Sequence, residues 1–184
     1  DITCSKKPIE PKNYKKDTIN IVSVGRLHYQ KGYELAIQSI KLLQLDGFEV
    51  LYHIYGDGPQ KTYIEELAKT HCVNLVIHDP MLNLVNVFRN ADVFLLTSRW
   101  EGFGNVVVEA MSYGVTPVVV DCHGGPKDLV SREYGYVSKR SSDNVAWAIK
   151  KAIKFPIAKN LLLERSKEFD SKIIAKKYIE GLSF

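Results

Sequence analysis

Residues 19–45, INIVSVGRLHYQKGYELAIQSIKLLQL, contain two periodicities in succession. Residues 19–25 form a short apolar run, rich in β-branched side chains, that ends on Gly25, whereas residues 33–45 carry apolar side chains at helical spacing. This reads as a strand, a loop from Arg26 to Gly32, and a helix.

The same alternation continues along the chain. Strands are expected at residues 50–55, 75–77, 93–97, 118–120 and 136–137, and helices at 63–69, 84–89, 106–113, from Pro126, and at 144–154. Residues 158–181 read as one or two amphipathic helices. Wholly apolar strands separated by helices indicate a parallel sheet covered on both faces, so the expected fold class is α/β. In such sheets ligands bind beyond the C-terminal ends of the strands, which directs attention to the residues after each strand.

The 184 residues suit one domain, and 45% hydrophobic with 25% charged residues matches an ordinary globular protein. The apolar runs fall far short of the ~20 residues needed to cross a bilayer. Cys4, Cys72 and Cys122 are odd in number and in no CxxC pairing, which fits reduced thiols and a cytoplasmic location. Asp1 suggests a piece cut from a longer chain, and residues 1–18, Lys-rich with Pro8 and Pro11, read as an interdomain linker before a domain at 19–184. From Lys150 onward nine Lys/Arg face four Asp/Glu, a local +5 against +4 for the whole chain. That tail reads chiefly as a solvated helix face. Contact of the longer protein with the cytoplasmic side of a membrane stays open, and nothing resembles a nucleic-acid module.

Three loops carry candidate chemistry. After the first strand, Gly25 allows a sharp turn, and Arg26 and Lys31 place two cations where a diphosphate can be held. Gly56-Asp57-Gly58-Pro59 has turn composition. After the strand at 93–97 comes EGFGNVVVEAM, Glu101 to Met111, in which two glycines before a helical run expose N–H groups at a helix start suited to phosphate. If both Glu101 and Glu109 were helical, they would lie about 80° apart and about 12 Å along the axis. Taken singly, each of these residues reads as a solvated side chain; the constellation carries the weight. Gly124-Gly125-Pro126 adds a further strand-to-helix loop on the same edge, and His123 beside it reads as an ordinary loop histidine.

P-loop, dinucleotide GxGxxG and nucleophile-elbow motifs are absent, as are an Asp-x-Asp pair and a metal-ligand cluster. No metal and no cofactor is therefore expected, and any diphosphate is left to Arg26, Lys31 and helix termini to neutralise.

The segments Gly25 to Gly32, Gly56 to Pro59 and Glu101 to Met111 resemble the C-terminal, donor-binding domain of retaining glycosyltransferases of family 4, whose GT-B fold sets two Rossmann-like domains across a cleft. The resemblance covers roughly residues 19–155. It implies that Gly25, Arg26 and Lys31 hold the diphosphate, that Glu109 binds the ribose, and that Glu101 contacts the transferred sugar as the catalytic carboxylate. Backbone groups of Phe103, Gly104, Asn105 and Val106 would touch sugar and phosphate, and Ile77 and His78 would border the base. It further implies a nucleotide diphosphate sugar donor, with UDP favoured by the Gly-Gly-Pro-Lys-Asp-Leu-Val segment. A glycan or lipid-linked acceptor would be bound through an N-terminal domain, without which this piece would be inactive. The sequence departs from the family pattern at Val115-Thr116, two residues where one usually separates Gly114 from Pro117. The alternatives are a nucleotide-sugar epimerase of the same fold and a non-catalytic α/β nucleotide-binding module.

Overall fold

The computed structural model describes residues 18–131 and 133–169. The linker expected at 1–18 lies almost wholly outside the described residues, as does the helical expectation beyond residue 169. Six strands form one parallel sheet: β1 (Ile19–Val24), β2 (Val50–Tyr55), β3 (Leu75–His78), β4 (Val93–Leu96), β5 (Thr116–Val120) and β6 (Tyr136–Ser138), in the order β3-β2-β1-β4-β5-β6. Among the described residues seven helices alternate with them: α1 (Tyr33–Leu45), α2 (Lys61–Thr70), α3 (Val85–Arg89), α4 (Asn105–Ser112), α5 (Pro126–Val130), α6 (Ser142–Lys154) and α7 (Lys159–Lys167).

The pleat distributes the apolar residues between two cores. Ile21, Tyr52, Ile54, Leu95, Val118 and Val120 pack beneath α1, α2 and α6. Phe94, Leu96 and Val119 point the other way, against α4, α5 and α7. Helices thus cover both faces, as expected from strands that are apolar throughout. The buried Tyr52 hydroxyl donates to Ser23 Oγ at 2.8 Å, and Ser23 Oγ donates to the carbonyl of Leu95 at 2.6 Å, which satisfies the polar atoms across three neighbouring strands.

Strand order reverses between β1 and β4. Chain direction on the two sides of that point runs apart, so the loops following β1 and β4 diverge and leave a crevice at the C-terminal edge. The first of these loops contains a short 3-10 turn, Tyr29–Lys31, that the sequence periodicity does not reveal. β5 begins at Thr116, two residues before the expected start, and carries Pro117 opposite Phe94.

Candidate functional site

The crevice between the β1 and β4 loops is a cleft of about 400 Å³ lined by Val24, Gly25, Lys31, Glu101, Phe103, Gly104, Asn105, Val106 and Glu109. Eight of these are residues singled out from the sequence; Val24 is the addition. Arg26 adjoins them as the neighbour of Gly25 and is exposed.

Glu101 is not helical. The helix starts at Asn105, so the loop from Trp100 to Gly104 carries the first carboxylate and α4 only the second. The backbone of this loop is held by the loop after β5. Glu101 N–H donates to the His123 carbonyl at 3.0 Å, Gly125 N–H donates to the Gly102 carbonyl at 2.8 Å, and Trp100 bridges His123. Gly124 has a φ of 118°, and a Cβ there would stand 1.8 Å from the Glu101 carbonyl oxygen. The Gly-Gly-Pro segment therefore shapes the Glu101 loop through its backbone. Two successive glycines after an apolar strand were the signal, and close backbone approach is their reason.

Lys31 Nζ lies 2.6 Å from Glu101 Oε1, with both side chains largely buried. Ser98 Oγ donates to the same carboxylate oxygen at 2.6 Å. Gly25 has a φ of 150°, and a Cβ on it would come within 2.9 Å of Lys31 Cε, so the lysine crosses the cleft floor where only glycine leaves it room. The Tyr33 hydroxyl donates to the Gly25 carbonyl at 3.0 Å. Burial pushes that phenol well above its usual pKa, which keeps it a protonated donor.

α4 enters the cleft through Gly104, and no side chain caps it. The first intrahelical bond runs from Val107 N–H to the Gly104 carbonyl at 2.8 Å, which leaves the earlier N–H groups and the positive end of the helix dipole facing the cleft. Glu109 sits about a turn further along, exposed, with partial burial raising its carboxyl above the usual range. The wall thus offers N–H groups, one lysine and two carboxylates, a set matched to an anionic ligand that also carries hydroxyls.

Ile77 and His78 do not line this cleft. Ile77 packs against the core beneath α1 and α2. His78 lies on the opposite face, stacked on Tyr55 with ring centroids 4.2 Å apart, and its Nε2 is 3.0 Å from His53 Nδ1. Burial and the neighbouring His78 both lower the His53 pKa. Among the described residues no three His, Cys, Asp or Glu side chains converge as a metal cluster, and no helix is long and apolar enough to cross a membrane. The sequence reading missed Ser98 and Arg140, which anchor the end of β4. Arg140 Nη1 donates to the carbonyls of Thr97 at 3.1 Å and Ser98 at 2.7 Å.

A sheet ordered β3-β2-β1-β4-β5-β6 with its cleft at the reversal defines a Rossmann-like domain, the half-unit of GT-B glycosyltransferases. The chain belongs to the family described as glycosyl transferases group 1, whose model matches residues 5–169. It is 33% identical over 144 residues to the uncharacterized glycosyltransferase MJ1607 of Methanocaldococcus jannaschii, covering 72% of this chain and 35% of that protein. Among solved structures it resembles the lipopolysaccharide outer core galactosyltransferase WaaB in its apo form, with a TM-score of 0.80 and 22% identity over 92% of this chain and 50% of that one. It also resembles Anabaena Alr3699/HepE in complex with UDP, with a TM-score of 0.78 and 23% identity over 91% and 49%. The chain spans about a third of that curated relative's length and half of each of these two solved chains.

Proposed function

We propose that this domain binds a nucleotide diphosphate sugar, UDP-linked by preference, for configuration-retaining transfer of a hexose-type sugar to a hydroxyl acceptor, as in family 4. The observation that carries this reading is the cleft that gathers Gly25, Lys31, the uncapped start of α4, Glu101 and Glu109. The UDP complex of the HepE relative supports the choice of nucleotide, and the galactosyltransferase relative supports a hexose donor.

In this account Arg26, Lys31 and the α4 N–H groups neutralise the diphosphate without a metal ion. Glu109 accepts hydrogen bonds from the ribose hydroxyls, and the backbone of Phe103 to Val106 contacts sugar and phosphate. The loop near Ile77 and His78 borders the base, although their side chains turn to the core and to Tyr55. Glu101 faces the sugar. As the bond to the diphosphate breaks, the sugar gains oxocarbenium character, which the carboxylate favours, while cations and amides favour the charge growing on the leaving group.

An acceptor site, glycan or lipid-linked, would lie on a facing N-terminal domain. This domain alone would then bind donor without transferring sugar, in the cytoplasm or at the cytoplasmic face of a membrane. A crystal of the domain grown with a UDP-sugar tests the reading: the diphosphate belongs at the α4 N-terminus with the sugar against Glu101. A nucleotide seated elsewhere would rule it out.

A further inference from the structure

A role for Ser98 rests on the function proposed above, in which Lys31 holds the diphosphate and Glu101 faces the sugar. In the structure these two side chains hold each other at 2.6 Å. A diphosphate brought to the α4 N-terminus offers Lys31 a more highly charged partner than one carboxylate. Lys31 can follow it, because its ammonium is carried on a flexible four-carbon stem. Its departure would leave Glu101 with one neutralising contact fewer, beside a newly arrived polyanion that repels it.

Among the described residues the other hydrogen bond to this carboxylate comes from Ser98. Its hydroxyl donates to Glu101 Oε1 at 2.6 Å, and the residue is 1% exposed. Unlike Lys31, Ser98 is anchored at the end of a central strand by the two bonds from Arg140 to the carbonyls of Thr97 and Ser98. The Thr97 hydroxyl in turn donates to the Lys31 carbonyl at 3.1 Å, which fixes the lysine backbone while its side chain stays free to swing.

We propose that Ser98 is a positioning residue that keeps the Glu101 carboxylate turned to the transferred sugar once the donor's diphosphate has drawn Lys31 away. A hydroxyl suits this role because it stabilises the ionised carboxylate by a charge-assisted bond, brings no charge of its own, and cannot be captured by phosphate from its buried place.

The test is a pair of titrations on this chain, one with UDP and one with whichever of UDP-glucose, UDP-galactose and UDP-N-acetylglucosamine the wild type binds best. Ser98→Ala is expected to weaken the UDP-sugar about tenfold and UDP by less than twofold, and Ser98→Thr, which keeps the hydroxyl, to restore the UDP-sugar. Equal loss on both ligands, or loss on neither, overturns the proposal while leaving the donor assignment standing. A wild-type chain that binds no UDP or UDP-sugar contradicts the donor assignment instead. The crystal structure of Ser98→Ala then judges the contact directly, because a Glu101 carboxylate that has not moved would refute a positioning role.

Discussion

Lys31 Nζ and Glu101 Oε1 stand 2.6 Å apart, although the residues are 70 positions distant in the chain. The cation expected to hold phosphate is therefore partly neutralised by the carboxylate expected to face sugar. Glu101→Gln removes both the competing partner and a negative charge at the cleft, so plain UDP is expected to bind more tightly, about fivefold, on the scale of about 1 kcal/mol for such a pair. Calorimetry at low and high salt checks this, with the gain shrinking as salt rises. Weaker binding would mean that Glu101 itself holds the nucleotide.

For Glu109 the opposite sign is expected. An ionised carboxylate accepts hydroxyls more strongly than a protonated one, and if Glu109 holds the ribose as proposed, Glu109→Ala should weaken UDP about tenfold to a hundredfold, the range of hydrogen bonds to a charged group. Partial burial raises its pKa, so protonation begins at a higher pH than for an ordinary carboxylate. UDP affinity should accordingly fall as pH drops towards the acid range, and Glu109→Gln should remove that component of the pH profile. A pH profile identical in wild type and Glu109→Gln would place the ribose elsewhere.

Much of this fold was legible because its signals are local. Short apolar runs ending near Gly or polar residues gave every strand its place, and helical spacing gave α1 and α6. Errors fell where a local rule was overridden. β5 was expected only from Val118, yet Thr116 and Pro117 are both within the strand and buried in the sheet, although proline cannot donate to a ladder. The Tyr29–Lys31 turn is too short to have a period. Of the candidate site, the loops after β1 and β4 were legible as glycines and charges at strand ends. The Lys31–Glu101–Ser98 contact, the Arg140 anchor and the His53–His78 pair were not, since each joins residues whose nearness exists only once the strand order is fixed. Ile77 and His78 show the same limit, because adjacent positions on a strand face opposite ways.

Gly124→Ala tests the scaffold beneath the site. Its Cβ would meet the Glu101 carbonyl at 1.8 Å in a backbone with positive φ, and neither partner is a flexible side chain. The expected cost is about 3 kcal/mol in urea unfolding, from strain plus overpacking. A variant as stable as wild type would show that the β5 loop does not brace the Glu101 loop.

Gly25→Ala should act more selectively. The added methyl would reach Lys31 Cε, which can swing aside, so the lysine should be displaced at a stability cost of about 1–2 kcal/mol from the positive φ. UDP affinity should fall with the lysine's displacement, and Lys31→Ala in the Gly25→Ala background should then cost little more. Full additivity of the two losses would show that Gly25 and Lys31 act independently.

The most direct test of the donor-binding account is a calorimetric titration of UDP into this chain in the presence of EDTA, wild type beside Arg26→Ala. The expected result is saturable binding of UDP without a divalent ion, weakened in Arg26→Ala by about 1.5–3 kcal/mol as the guanidinium's charge-assisted bonds to the diphosphate are lost. Binding that appears only when Mg²⁺ is added, or an affinity unchanged in a folded Arg26→Ala, would contradict it.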